Sequence, residues 1–193
     1  MVIGSHNSWS FLKGKHWWQN ALRFVAQCQD VDIQTQYEKY GVRFFDLRVR
    51  YDKNGNTVFA HGKFEYNYNL EKMSRDLQYI DGKGDCYIRI LHEARTLEDY
   101  TLVNIERFKA FCSALESTLP HTVLCNGRNV YNGEVDYQFK KQEPSCLELY
   151  SSVCAPKLID DWCPRIYAKT HNKENVKKGT DREVLLIDFV NYQ

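Results

Sequence analysis

Asp46, Arg48 and His61 are the residues whose types and spacing first suggest chemistry. They lie on two β-rich arms, Phe44-Phe45-Asp46-Leu47-Arg48-Val49-Arg50-Tyr51 and Thr57-Val58-Phe59-Ala60-His61-Gly62, joined by Asp52-Lys53-Asn54-Gly55-Asn56. An Asn-Gly pair in such a setting predicts a hairpin with a type I′ turn, which needs positive φ at both central residues. With Asn54 and Gly55 in those places, Lys53 faces Asn56 and, counting outward, Arg48 falls opposite His61. Opposed side chains share a face with Cβ atoms about 5 Å apart, and Asp46, two residues before Arg48, shares that face. A carboxylate beside an imidazole raises its pKa and fixes its orientation, which suits a general acid. A neighbouring guanidinium offers a fork that matches a phosphate.

The elements that must hold such a cluster are short apolar runs: Val2-Ile3-Gly4, Val42 to Leu47, Cys86 to Leu91, Thr122 to Cys125, Val135 to Phe139, Cys146 to Leu149, Arg165 to Ala168, and Val184 to Ile187. Residues 17–40 and 98–118 carry apolar positions at helical spacing between them. Alternation of this kind predicts an α/β chain with parallel strands. Eight strands would close a small, irregular (β/α)₈-type TIM barrel, with some helices shortened or missing because a typical barrel needs about 250 residues. Residues 1–193 read as a single catalytic domain. Barrels of this class carry their chemistry at the C-terminal ends of strands. There the chain has His6 and Asn7, Asp46 and Arg48, His92 and Glu93, Asn126 and Arg128, Ser151 and Ser152, Lys169 and His171, and Asp188.

Composition narrows the class further. The chain has 193 residues, a formal net charge of +1, 43% hydrophobic and 26% charged residues. That balance is globular and gives no reason to expect a nucleic-acid partner. Seven cysteines without CxxC spacing or a paired Cys/His ligand pattern fit a reducing compartment better than a disulfide framework. No leader-like or membrane-spanning run is visible, so a cytoplasmic, monomeric protein is expected. Trp17, Trp18 and Phe24 fit either a helix packed on the barrel, the preferred reading, or one resting on a lipid interface.

The motifs also carry a resemblance. Gly4-Ser5-His6-Asn7-Ser8 after a first short strand resembles the opening motif of the phosphatidylinositol-specific phospholipase C catalytic (X) domain. Gly41 to Arg48 followed by His61-Gly62 resembles its second motif, and Leu186 to Asn191 its last strand. The resemblance implies a mechanism. His6 would be the general base on the inositol 2-hydroxyl, Asp188 the carboxylate that orients it, and His61, assisted by Asp46, the general acid on the leaving diacylglycerol oxygen. Arg48 would stabilise charge on the phosphoryl oxygens. The implied products are diacylglycerol and inositol 1,2-cyclic phosphate, from a phosphatidylinositol-type lipid or a related phosphodiester, with peripheral membrane contact. Candidate substrate contacts are Asn7, His92, Glu93, Arg128 and Lys169.

No cofactor or metal is expected. The position of Arg48 carries a calcium ligand in animal-type relatives, and a permanent cation there opposes a metal by charge. A glycerophosphodiester phosphodiesterase or sphingomyelinase D-like enzyme on a related barrel is the alternative enzyme reading. A catalytically inactive lipid-binding barrel is the non-enzyme reading.

Overall fold

The computed structural model describes residues 1–93, 99–126, 136–140, 149–152, 163–178 and 184–193. Its strands are β1 (Val2–Ser5), β2 (Val42–Tyr51), β3 (Thr57–His61), β4 (Phe64–Glu65), β5 (Tyr87–His92), β6 (Val123–Asn126), β7 (Leu149–Ser152) and β8 (Val184–Ile187). The helices are α1 (Trp17–Ala21), α2 (Ile33–Tyr40), α3 (Leu70–Asp81), α4 (Leu102–Thr118) and α5 (Pro164–Lys178).

Six strands pair in parallel in the order β6-β5-β2-β1-β8-β7, and the β3–β4 hairpin attaches antiparallel to the far end of β2. Among the described residues β6 and β7 do not pair, so the sheet is mixed α/β and open rather than the closed eight-stranded barrel expected. Two runs expected as strands are not strands. Arg165 to Ala168 lies inside α5, and Asp136 to Phe139 has no regular structure. Pro164 explains the first case, because proline at the first helical position costs no hydrogen bond and fixes a helical φ.

Alternation along the parallel strands divides the core. Phe45, Leu47, Val49, Ile88, Ile90, Leu124, Leu185 and Ile187 face the helices, where Ile33, Leu77, Phe108 and Leu115 meet them. Phe44, Val184 and Leu186 pack on the other face. Gly4 belongs there because a Cβ would come within 3.2 Å of Leu186 and Phe44 side-chain atoms. The second face also carries Asp46, Arg48 and Arg50, since two-residue periodicity sends them opposite to Phe45, Leu47 and Val49.

The segment 17–40, read as carrying helical spacing, is α1, a 3₁₀ turn at Arg23–Val25, and α2. Between them residues 26–29 run buried and irregular. Their polar groups are satisfied locally, as buried backbone requires. Ser10 Oγ accepts from the N–H groups of Cys28 and Gln29 at 2.9 and 2.8 Å. Gln29 Nε2 donates to the carbonyls of His6 and Ile187 at 3.1 and 3.0 Å. This loop therefore ties together the ends of β1 and β8.

Candidate active site

The turn after β1 is built to expose one imidazole. Asn7 adopts positive φ (43°), a conformation asparagine tolerates better than most side chains. Its N–H donates to Asp46 Oδ2 at 3.0 Å, and its Nδ2 donates to the Tyr66 hydroxyl at 3.0 Å. Ser8 closes the turn, donating to the Ser5 carbonyl and accepting from the Asp46 N–H. The turn is thus fixed to β2 at Asp46, and His6 projects from it, 7% exposed.

His6 lies between an anion and a cation. Its Nδ1 is 2.7 Å from Asp188 Oδ1, and its Nε2 is 2.6 Å from Arg48 Nη2. A guanidinium nitrogen can only donate, so Nε2 must accept. The ring is then neutral with its proton on Nδ1, donated to Asp188, and its Nε2 lone pair faces the cation. Asp188 directly follows β8 and is fully buried.

Arg48 gathers the remaining charges. Its Nε donates to Asp46 Oδ2 at 2.9 Å and its Nη1 to Glu93 Oε2 at 3.2 Å. Asp46 Oδ1 also accepts from Arg89 Nε at 2.8 Å. Burial alone would raise the Asp46 pKa, yet Arg48 and Arg89 outweigh it and hold the carboxyl well below the usual range. Burial likewise opposes ionisation of Glu93, and Arg48 and the Gly62 N–H overcome it. Asp46 spends its bonds on Arg48, Arg89 and Asn7, not on His61 as the hairpin count implied.

The hairpin differs from its expected form for a physical reason. Asp52 Oδ1 captures the N–H groups of Asn54 and Asn56, both at 2.9 Å, and Gly55 alone takes positive φ (82°). Asp52 pairs with Asn56, giving a three-residue loop with glycine in the left-handed position. Register slips by one, to Val49–Phe59 and Arg50–Val58, so its continuation sets His61 opposite Leu47 rather than Arg48.

His61 reaches the site by another route. Gly62 takes positive φ (55°) and begins the two-residue turn into β4. Arg50 donates to the Gly62 carbonyl and, at 2.6 Å, to Glu65. Glu93 Oε1 accepts from the Gly62 N–H at 2.8 Å. Thus Glu93 joins Arg48 to the turn that carries His61. The His61 ring stands edge-on to His6, with centroids 5.5 Å apart. Its Nδ1 is 3.0 Å from the Ala26 carbonyl, which only accepts, so Nδ1 carries a proton and Nε2 takes up the second when the ring is charged. Burial, with the Arg48 charge beside it, pushes its pKa down to about 4.

His92, expected at the mouth, faces the helices instead. It is 3% exposed, stacked on Phe108 with Tyr51 and Tyr100 beside it, and 3.7 Å from Asp136. Odd and even positions separate it from Glu93, which does enter the cluster. Lys169 and His171 lie on α5 rather than past a strand; Lys169 is exposed over the Tyr192 ring, and His171 stacks on Tyr167. Arg128 lies outside the described residues. Asn126 ends β6 with both side-chain polar atoms buried and, among the described residues, unpartnered. Sequence reasoning passed over Arg89, Tyr66 and Cys28. Arg89 left a signal, a cation inside an apolar strand paired directly with Asp46.

Cys28, fully buried, donates its thiol to the Ala26 carbonyl at 3.5 Å and lies 3.8 Å from His61 Nδ1. His6, Cys28 and His61 are the set among the described residues with donors for a metal ion. The site can therefore offer a neutral base, a second imidazole able to charge, and a fixed guanidinium between carboxylates. That is equipment for proton transfer at an anionic centre.

The chain matches no protein-family model and no curated protein. Solved structures do match. Phosphatidylinositol-specific phospholipase C from Listeria monocytogenes aligns with a TM-score of 0.65 at 16% identity, over 97% of this chain and 87% of that one. A double mutant of the Staphylococcus aureus enzyme aligns at 0.68 and 17% identity, over 100% and 86%. A further S. aureus structure, titled for modulation of its membrane binding, aligns at 0.64 and 17% identity, again over 100% and 86%.

Proposed function

We propose that the chain is a phosphodiesterase that cleaves phosphatidylinositol-type lipids to diacylglycerol and inositol 1,2-cyclic phosphate, a phosphorus–oxygen lyase needing no metal. The observation carrying this reading is the arrangement of His6 between Asp188 and Arg48, with His61 edge-on across the site. Its likeness in fold to phospholipases C supports the choice of substrate class.

In this mechanism His6 Nε2 takes the proton of the inositol 2-hydroxyl. For that, Arg48 must leave Nε2, and the incoming phosphate supplies the attraction that draws it away. The oxygen freed of its proton attacks phosphorus, and Arg48 stabilises the negative charge that grows on the phosphoryl oxygens. Asp188 balances the imidazolium formed on His6. The phosphate anion also raises the affinity of His61 for a proton, opposing burial. That proton passes from Nε2 to the glycerol oxygen as the phosphorus–oxygen bond breaks. Asp46 and Glu93 hold Arg48 in place through its Nε and Nη1.

Substrate in a bilayer needs a surface to meet it. Trp17 is 82% exposed, and Trp18, Leu22, Phe24 and Val25 are also open to solvent on α1 and the following turn. Aromatic and aliphatic side chains gathered in this way suit the interfacial zone of a membrane. No helix among the described residues is long and apolar enough to cross one.

The test is incubation of the protein with phosphatidylinositol vesicles in excess EDTA, following phosphorus by NMR. Release of a five-membered cyclic phosphate with diacylglycerol supports the reading. Activity that vanishes in EDTA and returns with calcium moves the assignment to a metal-dependent phosphodiesterase.

A further inference from the structure

We propose that His6, Cys28 and His61 form a binding site for a zinc-class transition-metal ion, and that an ion held there shuts the active site. One ligand atom from each residue lies within 4.8 Å of the other two. Zinc holds thiolate sulfur at about 2.3 Å and imidazole nitrogen at about 2.0–2.1 Å in a tetrahedral arrangement, which sets sulfur and nitrogen about 3.6 Å apart. The Cys28–His61 separation of 3.8 Å is already close to that spacing. The His6 donor lies within 4.8 Å of both, and its Nε2 is open to a metal once Arg48, now 2.6 Å away, leaves it. Three protein ligands leave a fourth position for water, as in accessible zinc sites.

The donor set selects the ion. Two imidazoles and a thiolate suit zinc or copper, while magnesium and calcium require oxygen donors. The fold fixes the sulfur independently of any metal. Ser10 Oγ holds the Cys28 N–H at 2.9 Å, and the Cys28 carbonyl accepts from Phe189 N–H. Asp46 and Glu93 pair with Arg48 and offset the charge that would oppose a cation. On binding, the Cys28 thiol releases its proton to water as the sulfur–metal bond forms. His61 moves its ring proton from Nδ1 to Nε2 and stays neutral. Both histidines are then unavailable for proton transfer. The binding site stands on geometry alone; only its inhibitory effect rests on the catalytic reading above.

The experiment uses the full chain, stripped with EDTA and returned to metal-free buffer, titrated with cobalt(II). One cobalt per chain should appear with a thiolate-to-metal charge-transfer band and the visible bands of tetrahedral cobalt, and zinc should displace it. Cys28→Ala and His61→Ala should each abolish the charge-transfer band, with folding checked by circular dichroism, while Cys86→Ala should keep it. A band that survives in folded Cys28→Ala, or wild-type protein without a band, overturns the proposal. In turnover assays zinc should inhibit the wild type reversibly and Cys28→Ala at least about tenfold more weakly. Equal inhibition of both overturns the inhibitory role. A chain that binds cobalt but cleaves no lipid would refute the catalytic reading and leave the site standing.

Discussion

Arg48 Nη2 lies 2.6 Å from His6 Nε2, so the cation meant for the phosphate covers the lone pair meant for the substrate hydroxyl. One group thereby holds the other in its reactive tautomer until substrate separates them. Arg48→Ala should lose about 10²–10³-fold in kcat, the scale for removing a donor to developing negative charge. Arg48→Lys should recover little, since one ammonium cannot reach Asp46, Glu93 and phosphate together. Steady-state kinetics checks this, and a Lys variant near wild-type rate contradicts it.

Glu93 bridges Arg48 and the Gly62 N–H, so it positions both the cation and the turn carrying His61. Glu93→Ala should lower kcat at least about tenfold, because a buried N–H and a guanidinium lose their acceptor together. Glu93→Gln should recover part of that, since an amide oxygen can still accept from Gly62. KM should change much less than kcat in both variants, whereas a purely structural role would instead show as a lowered melting temperature with kcat intact.

The exposed ring cluster on α1 predicts a split between substrates. A Trp17→Ala, Trp18→Ala double variant should bind phosphatidylinositol vesicles markedly more weakly, as sedimentation would show. Its rate on a soluble inositol phosphodiester should stay near wild type. Loss of both activities alike would place these residues in the core or the site.

Stability should fall on the acid side in a defined window. His61 has its folded pKa lowered to about 4 from an ordinary value near 6.5. Protons then favour the unfolded chain, so this contribution is fully present above about pH 6.5 and is lost as pH falls through 4. Asp46, depressed below 3.8, adds a second loss at lower pH, because its stabilisation is present above its unfolded pKa. Urea midpoints measured in EDTA should drop between pH 6.5 and 4 for the wild type and stay flatter there for His61→Ala. Parallel curves would contradict the buried, neutral state of His61.

Much of this was legible in sequence because it followed from alternation and turn chemistry. Val42 to Leu47 and Val184 to Ile187 form strands where their apolar runs lie, and His6 and Asp188 follow their strands as expected. The hairpin misled by one residue because Asp52, outside the Asn-Gly pair, captured two backbone N–H groups and chose the turn. Cys28 was hidden because segment 17–40 has helical spacing, while Gln29 and Ser10 satisfy a buried irregular loop instead. The helix α3 went unread although Asn69 caps it and Met73, Leu77 and Ile80 mark its buried face. His92 failed as a site residue because a one-residue difference in parity turns a strand-end side chain from the mouth to the helices.

The central claim is a division of labour, His6 as base and His61 as acid, and leaving-group chemistry separates the two. Each alanine variant should be assayed on an inositol phosphodiester with an alkyl leaving group and on one releasing nitrophenolate, which departs without a proton. Each should lose about 10²–10⁴-fold on the alkyl substrate. On the nitrophenyl substrate His61→Ala should recover most of its rate, while His6→Ala should stay impaired because the attacking hydroxyl still needs a base. Equal losses for both variants on both substrates, or recovery of His6→Ala instead, would contradict the account.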